Sequence, residues 1–151
     1  MRQVLLIEDD EVKRQGVQSV LTLNFDFKIV LANSVSTAIR SITEEIDLII
    51  ADMSLPTYDI EAQERGGTPR PFGGIEVFEH LDRIASKVPV VVVTSYPAIS
   101  DGRKSLTVND LERQLETDFP DNFKGLVYFD NAYTDWEMKL VNTITKFQSG
   151  K

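Results

Sequence analysis

Three consecutive acids, Glu8, Asp9 and Asp10, follow the apolar run Val4-Leu5-Leu6-Ile7, and a further acid, Asp52, follows the apolar run Leu48-Ile49-Ile50-Ala51. Each run reads as a short buried strand. In a parallel sheet the acids that follow would emerge together at the carboxyl edge, where open α/β sheets hold their ligands. Carboxylates crowded at one edge repel one another unless a cation shares them. Mg²⁺ is the natural partner, because it takes oxygen ligands, needs few protein carboxylates and leaves positions for water or phosphate. The chemistry this suits is phosphoryl transfer, in which a divalent ion offsets the repulsion between an attacking carboxylate and an electron-rich phosphoryl group.

Composition narrows the alternatives. A chain of 151 residues with 42% hydrophobic content suits one domain spanning 1–151, with little length left for a second core. A formal charge of -8 argues against direct nucleic-acid binding, which relies on clustered Lys and Arg. The absence of Cys excludes disulfides, thiolate catalysis and Cys-ligated metals, and the single His80 cannot build a His-rich metal site. No apolar run approaches the roughly 18 to 20 residues of a membrane span. The expectation is a cytoplasmic protein without a membrane partner.

The elements that must position the acids follow from periodicity. Val12, Gly16, Val17, Val20, Leu21 and Leu23 recur at helical spacing, as a helix covering one sheet face should. Asn24 closes that helix. A brief β-branched run over 28–31 forms the second strand, Asn33 or Ser34 caps the next helix, and Val35, Ala38, Ile39 and Ile42 form its apolar stripe. The third strand covers 48–51, a helix with Ile75, Phe78, Leu81 and Ile84 as its stripe covers 74–85, and the fourth strand covers 88–93. Val108, Leu111, Leu115 and Phe119 mark the fourth helix, with Pro120 as a stop. Gly125 introduces a fifth strand over 126–129. Thr134 and Glu137 have the spacing of a capping box ahead of a fifth helix carrying Trp136, Leu140, Val141, Ile144 and Phe147. Strands alternating with helices imply right-handed crossovers and a three-layer, doubly wound, parallel five-stranded α/β sheet.

Two long insertions break the rhythm. Residues 53–73 mix Pro56, Gly66, Gly67, Pro69, Pro71 and Gly73 with charges, and residues 95–107 are polar with Arg103 and Lys104. They follow strands three and four, so both belong beside the acidic pocket, as a lid or docking surface would.

In order along the chain stand Leu5-Leu6-Ile7-Glu8-Asp9-Asp10, then Ile49-Ile50-Ala51-Asp52-Met53-Ser54-Leu55-Pro56, then Gly74-Ile75-Glu76-Val77-Phe78 and Val91-Val92-Val93-Thr94-Ser95. This ordered set resembles the response-regulator receiver domain, a CheY-like, flavodoxin-like fold. The resemblance implies that Asp52 is the phosphoacceptor, that Glu8, Asp9, Asp52 and the backbone carbonyl of Ser54 hold Mg²⁺, and that Thr94 contacts the phosphoryl group. It implies Tyr128 as the aromatic switch residue. Asp10 is read as solvated or capping, His80 as a surface residue and Trp136 as packing. A histidine kinase or phosphotransfer protein is the implied donor, a downstream protein the implied target, and a homodimer is compatible with the family. The protein would then be a phosphorylated signalling component rather than an enzyme, acting as a stand-alone domain.

One departure stands out. The family normally carries a Lys just after the fifth strand, and alignment places Asn131 there, or Asp130 in another register. Neither is cationic. Arg65, Arg70, Arg103 or Lys104 could fold inward to replace the charge. Losing a charge-assisted contact worth roughly 1.5 to 3 kcal/mol would weaken phosphorylation, which favours as an alternative a phosphorylation-independent receiver-like module. A Mg²⁺-dependent phosphohydrolase is a third reading, but its usual acids at alternate positions are not found in Glu8-Asp9-Asp10.

Overall fold

The computed structural model describes residues 2–56, 69–70, 73–95, 98–100, 105–130 and 134–149. The apolar runs form strands β1 (Arg2–Ile7), β2 (Phe27–Ala32) and β3 (Ile46–Ala51), separated by helices α1 (Glu11–Asn24) and α2 (Val35–Ser41). After β3 the chain forms the short strands β4 (Leu55–Pro56) and β5 (Pro69–Arg70), which pair antiparallel, and then helix α3 (Gly73–Arg83). Strand β6 (Val90–Thr94) is followed by a second antiparallel pair, β7 (Ala98–Ser100) with β8 (Ser105–Thr107). Helix α4 (Val108–Asp118), strand β9 (Phe123–Tyr128) and helix α5 (Asp135–Ser149) complete the order.

The main sheet is five-stranded, in the order β2-β1-β3-β6-β9, and every pairing is parallel. Its side chains alternate between two cores. Leu5, Ile7, Ile49, Ala51, Val90 and Val92 pack with α2, α3 and α4 on one face. Val4, Leu6, Leu48, Ile50, Val91 and Val93 pack with α1 and α5 on the other. Both faces are covered, which is why these strands read as continuous apolar runs rather than alternating ones. The fold is therefore the expected CheY-like, doubly wound arrangement, and its insertions after β3 and β6 include two small hairpins.

Three local readings change, the first being that Ile84, expected on the stripe of the third helix, lies beyond the end of α3 and is 50% exposed. Val12 is 58% exposed and Leu23 is 83% exposed, so neither belongs to the inward face of α1. That face is instead Lys13, Val17, Val20 and Leu21, a spacing of four, three and one that keeps one stripe against the sheet. The capping box described in the structure heads α4, where Thr107 Oγ1 accepts from the Asp110 N–H at 3.1 Å and Asp110 Oδ2 accepts from the Thr107 N–H at 3.4 Å. At α5 the Glu137 N–H donates to the Thr134 carbonyl at 3.0 Å.

Candidate functional site

Strand register brings the acids together. Ile7 lies beside Ala51, and Ala51 beside Val92, so the residues that follow leave the sheet at one level. This is the switch point of the strand order: β2 lies on one side of β1 and β3 on the other, and the connecting helices diverge to opposite faces, opening a crevice. The Glu8 N–H donates to the Ala32 carbonyl at 3.0 Å and the Asp52 N–H to the Ile7 carbonyl at 3.2 Å, which extends the ladder to the acids themselves.

Behind Asp52 the backbone is clamped by α3. The Gly74 N–H donates to the Met53 carbonyl at 2.8 Å. A β-carbon on Gly74 would lie 2.3 Å from the Asp52 carbonyl oxygen and 2.9 Å from Met53 Cα, so glycine is required for this close approach. In front, Asp10 is the N-cap of α1, accepting from the Val12 N–H at 3.2 Å. It caps the helix.

Glu8, Asp9 and Asp52 each present a carboxylate oxygen within 4.8 Å of the others. They line a cleft of about 180 Å³ together with Asp10, Lys13, Ser54 and Ser95. Thr94 is fully buried at the end of β6, and its carbonyl accepts from the Phe129 N–H at 2.8 Å; the cleft's described lining includes the next residue, Ser95. Tyr128 is partly exposed at the end of β9, level with Thr94. Asn131, Arg65, Arg103 and Lys104 lie outside the described residues, as does the side chain of Arg70. Trp136 packs in the core against Phe129, with ring centroids 4.8 Å apart.

The residue that sequence reading missed is Lys13. Its side chain is only 1% exposed, and its Nζ stands 2.9 Å from Glu8 Oε1 and 3.0 Å from Asp52 Oδ2. The other Glu8 oxygen accepts from the Asp10 N–H at 3.1 Å, and Asp52 Oδ1 accepts from the Met53 N–H at 2.7 Å. One signal was available in the sequence: Lys13 lies four residues before Val17 on the inward stripe of the helix that leaves the acidic segment.

The electrostatics are unbalanced. Burial, and then the charge of Asp52, push the Glu8 carboxyl up from 4.5 to about 8 against the opposing pull of Lys13. Burial also raises Asp52, although Lys13 and the Met53 N–H work against it, and burial raises Asp9. Burial disfavours the Lys13 ammonium, but Asp52 and Glu8 outweigh it and hold Lys13 above its ordinary value. Three carboxylates face one ammonium. With all three ionised the shortfall is the size of one divalent charge, and the donors are all hard oxygens, so the residues fit Mg²⁺.

The sequence profile of the response regulator receiver domain matches residues 4–111, and the chain belongs to that family. It is 30% identical over 143 residues to the Detocs response regulatory protein DtcB of Vibrio alginolyticus, covering 90% of this chain and 95% of the relative. It is 25% identical over 143 residues to the uncharacterized protein y4jR of Sinorhizobium fredii, covering 91% of this chain and 93% of that one. Among solved structures, a response regulator receiver domain protein from Clostridium thermocellum matches with a TM-score of 0.61 at 16% identity over the whole of both chains. A CheY-like receiver domain protein from Methanospirillum hungatei matches with a TM-score of 0.66 at 12% identity, over 99% of this chain and 95% of the other.

Proposed function

We propose that this chain is a phosphoacceptor of two-component signalling, taken as one receiver unit over 1–151, that receives a phosphoryl group on Asp52 from a histidine kinase or phosphotransfer protein. It passes the signal on through protein contacts rather than by turning over a substrate. The observation that carries this reading is the convergence of Glu8, Asp9 and Asp52 within 4.8 Å at the carboxyl edge of the sheet. The regulatory name of the Vibrio relative, matched over 95% of its length, agrees with it.

Glu8, Asp9 and Asp52, with the Ser54 carbonyl, would hold Mg²⁺, which when bound supplies charge neutralisation and orients the phosphoryl oxygens. Asp52 is the nucleophile, its Oδ1 kept in place by the Met53 N–H. In this reading the Thr94 hydroxyl contacts the phosphoryl group and Tyr128 reports the change at the surface beside α4 and α5. That face is also where a downstream protein, or a second copy of the chain, would engage. Asn131 contributes no charge. Among the described residues no helix is long and apolar enough to cross a membrane, which is consistent with the proposed cytoplasmic setting.

The test is incubation with Mg²⁺ and acetyl phosphate, followed by intact mass and digestion. An acid-stable, base-labile adduct on Asp52 is expected, and none on Asp52→Ala. An adduct of the same stability on Asp52→Ala removes Asp52 from the role.

One observation favours a second reading. Lys13 already bridges Glu8 and Asp52, as a bound cation would, and a phosphorylation-independent module would use such a bridge to close the acidic cleft for good. That module shows no heat of Mg²⁺ binding and no response to beryllofluoride in calorimetry, whereas the phosphoacceptor shows both.

A further inference from the structure

We infer that Lys13, from the first turn of α1, is the catalytic cation of this site: its ammonium orients Asp52 Oδ2 for attack and then ion-pairs with the phosphoryl group that Oδ2 acquires. This deepens the phosphoacceptor reading and rests on it.

The argument begins with the two oxygens of Asp52. Oδ1 accepts the Met53 N–H at 2.7 Å, and Oδ2 accepts from Lys13 Nζ at 3.0 Å. A backbone N–H bonds a neutral carbonyl oxygen throughout helices and sheets, so Oδ1 can keep its partner through the reaction as the C=O of an acyl phosphate. Oδ2 is then the attacking atom. It forms the new O–P bond while the P–N bond of a phosphohistidine, or the P–O bond of an acyl phosphate donor, breaks. The leaving group keeps the electron pair, the imidazole taking a proton from solvent, and no electrons are gained or lost overall.

The step changes what Lys13 faces. Oδ2 turns from a charged carboxylate oxygen into an ester oxygen, a poor acceptor, and a dianionic phosphoryl group appears one bond away. Charge-assisted bonds of ammonium to phosphate are about twice as strong as neutral ones. An ammonium has three N–H donors, and two are committed among the described residues, to Glu8 Oε1 and Asp52 Oδ2. The contact therefore passes from Oδ2 to a phosphoryl oxygen without a large displacement, while the Glu8 bond keeps the stem in place.

Position and selectivity support the assignment. Lys13 lies three residues after the N-cap Asp10, on the stripe that continues through Val17, Val20 and Leu21 into the core. It is the cation among the described lining of the cleft. The adjacent Arg14 is engaged elsewhere, its Nη1 donating to Asn33 Oδ1 at 3.1 Å.

The experiment compares wild type, Lys13→Met, Lys13→Arg and Asp52→Ala in saturating Mg²⁺, where the ion also compensates the buried carboxylates. Calorimetry gives the affinities for Mg²⁺ alone and for beryllofluoride with Mg²⁺, and intact mass gives the rate of adduct formation from acetyl phosphate. Lys13→Met is expected to bind Mg²⁺ at least as tightly as wild type, since a competing cation is gone. Its beryllofluoride affinity and adduct rate should fall about tenfold to a hundredfold, the loss of one charge-assisted contact, with Lys13→Arg recovering most of it. A purely structural lysine would move the affinities in the same direction. Beryllofluoride affinity and adduct rate within about twofold of wild type in Lys13→Met would overturn the assignment while leaving Asp52 as phosphoacceptor. Should Lys13→Met fail to fold, the ammonium resonance of Lys13 in the wild-type protein carries the test: it shifts on adding beryllofluoride, and an unmoved resonance overturns the inference. A wild-type protein that forms no Asp52 adduct and ignores beryllofluoride removes the phosphoacceptor reading itself, and this inference with it.

Discussion

Buried polar groups stand at both edges of the sheet, and they are satisfied in opposite ways. At the amino edge, Asn122 Nδ2 donates to the carbonyls of Ser86 and Val88, each at 2.9 Å, and its own carbonyl accepts from the Val90 N–H at 2.7 Å. Every partner is neutral. This cluster ties the starts of β6 and β9 together and asks for nothing more. At the carboxyl edge, Glu8, Lys13 and Asp52 are as deeply buried, yet their charges do not cancel once Glu8 is ionised, and Asp9 adds a further carboxylate beside them. Burying charge without full compensation is costly. The fold tolerates it at one edge while closing the other with a single amide, and the phosphoacceptor proposed above would use the charged edge for a cation and an anion from outside.

Removing each brace separates the two edges. Lys13→Met leaves Glu8 and Asp52 buried without their partner, and in metal-free buffer it is expected to cost about 3 to 5 kcal/mol in urea unfolding. Saturating Mg²⁺ should restore part of that loss. A loss unaffected by Mg²⁺ would mean that Lys13 and the ion do not answer the same charge.

Asn122→Ala leaves the half-buried Ser86 and Val88 carbonyls short of a donor. The expected cost is about 1 to 3 kcal/mol, equal with and without Mg²⁺ and without a change in beryllofluoride affinity. If that affinity fell tenfold, the amino edge would be coupled to the site and the contrast drawn here would fail.

The pH dependence is gentler. In the folded protein Glu8 is held at about 8, against 4.5 ordinarily, so between those values the folded state binds more protons than the unfolded state. Its contribution to stability is fully present below 4.5 and is lost as pH rises through 8. Asp52 and Asp9, also raised by burial, act with the same sign. Metal-free melts should therefore show stability falling from pH 5 to pH 8.5, by at most about 1.4 kcal/mol per pH unit per proton. Saturating Mg²⁺, which favours the ionised carboxylates, should flatten the slope. A metal-free profile that rises with pH would contradict the placement of Glu8. The Lys13→Met loss should likewise be smaller at pH 6 than at pH 8.5, because a protonated Glu8 needs no counter-ion.

Much of this was legible along the chain. Aliphatic strands of four to six residues buried on both faces, alternating with helices, leave few topologies open. Acids at strand ends inherit their place from the register, so Glu8, Asp9 and Asp52 were readable before any coordinates. The departures lie on the helices, and the largest is on α1. Val12 and Leu23 are apolar and at helical spacing, yet both are exposed and a lysine takes the inward position. Periodicity weighed by hydropathy cannot place a buried charge, since a lysine at that spacing looks like a break in the stripe.

Sequence alone determined the α/β order, the acids at the carboxyl edge and the absence of a cation at 130 and 131, because these depend on residue type and on the two periods of strand and helix. Only the tertiary structure decided that the cation comes from α1. A buried ammonium needs compensating partners, and Glu8 and Asp52, 44 residues apart in sequence, meet Lys13 Nζ at 2.9 and 3.0 Å only after the sheet has formed and α1 has packed across it.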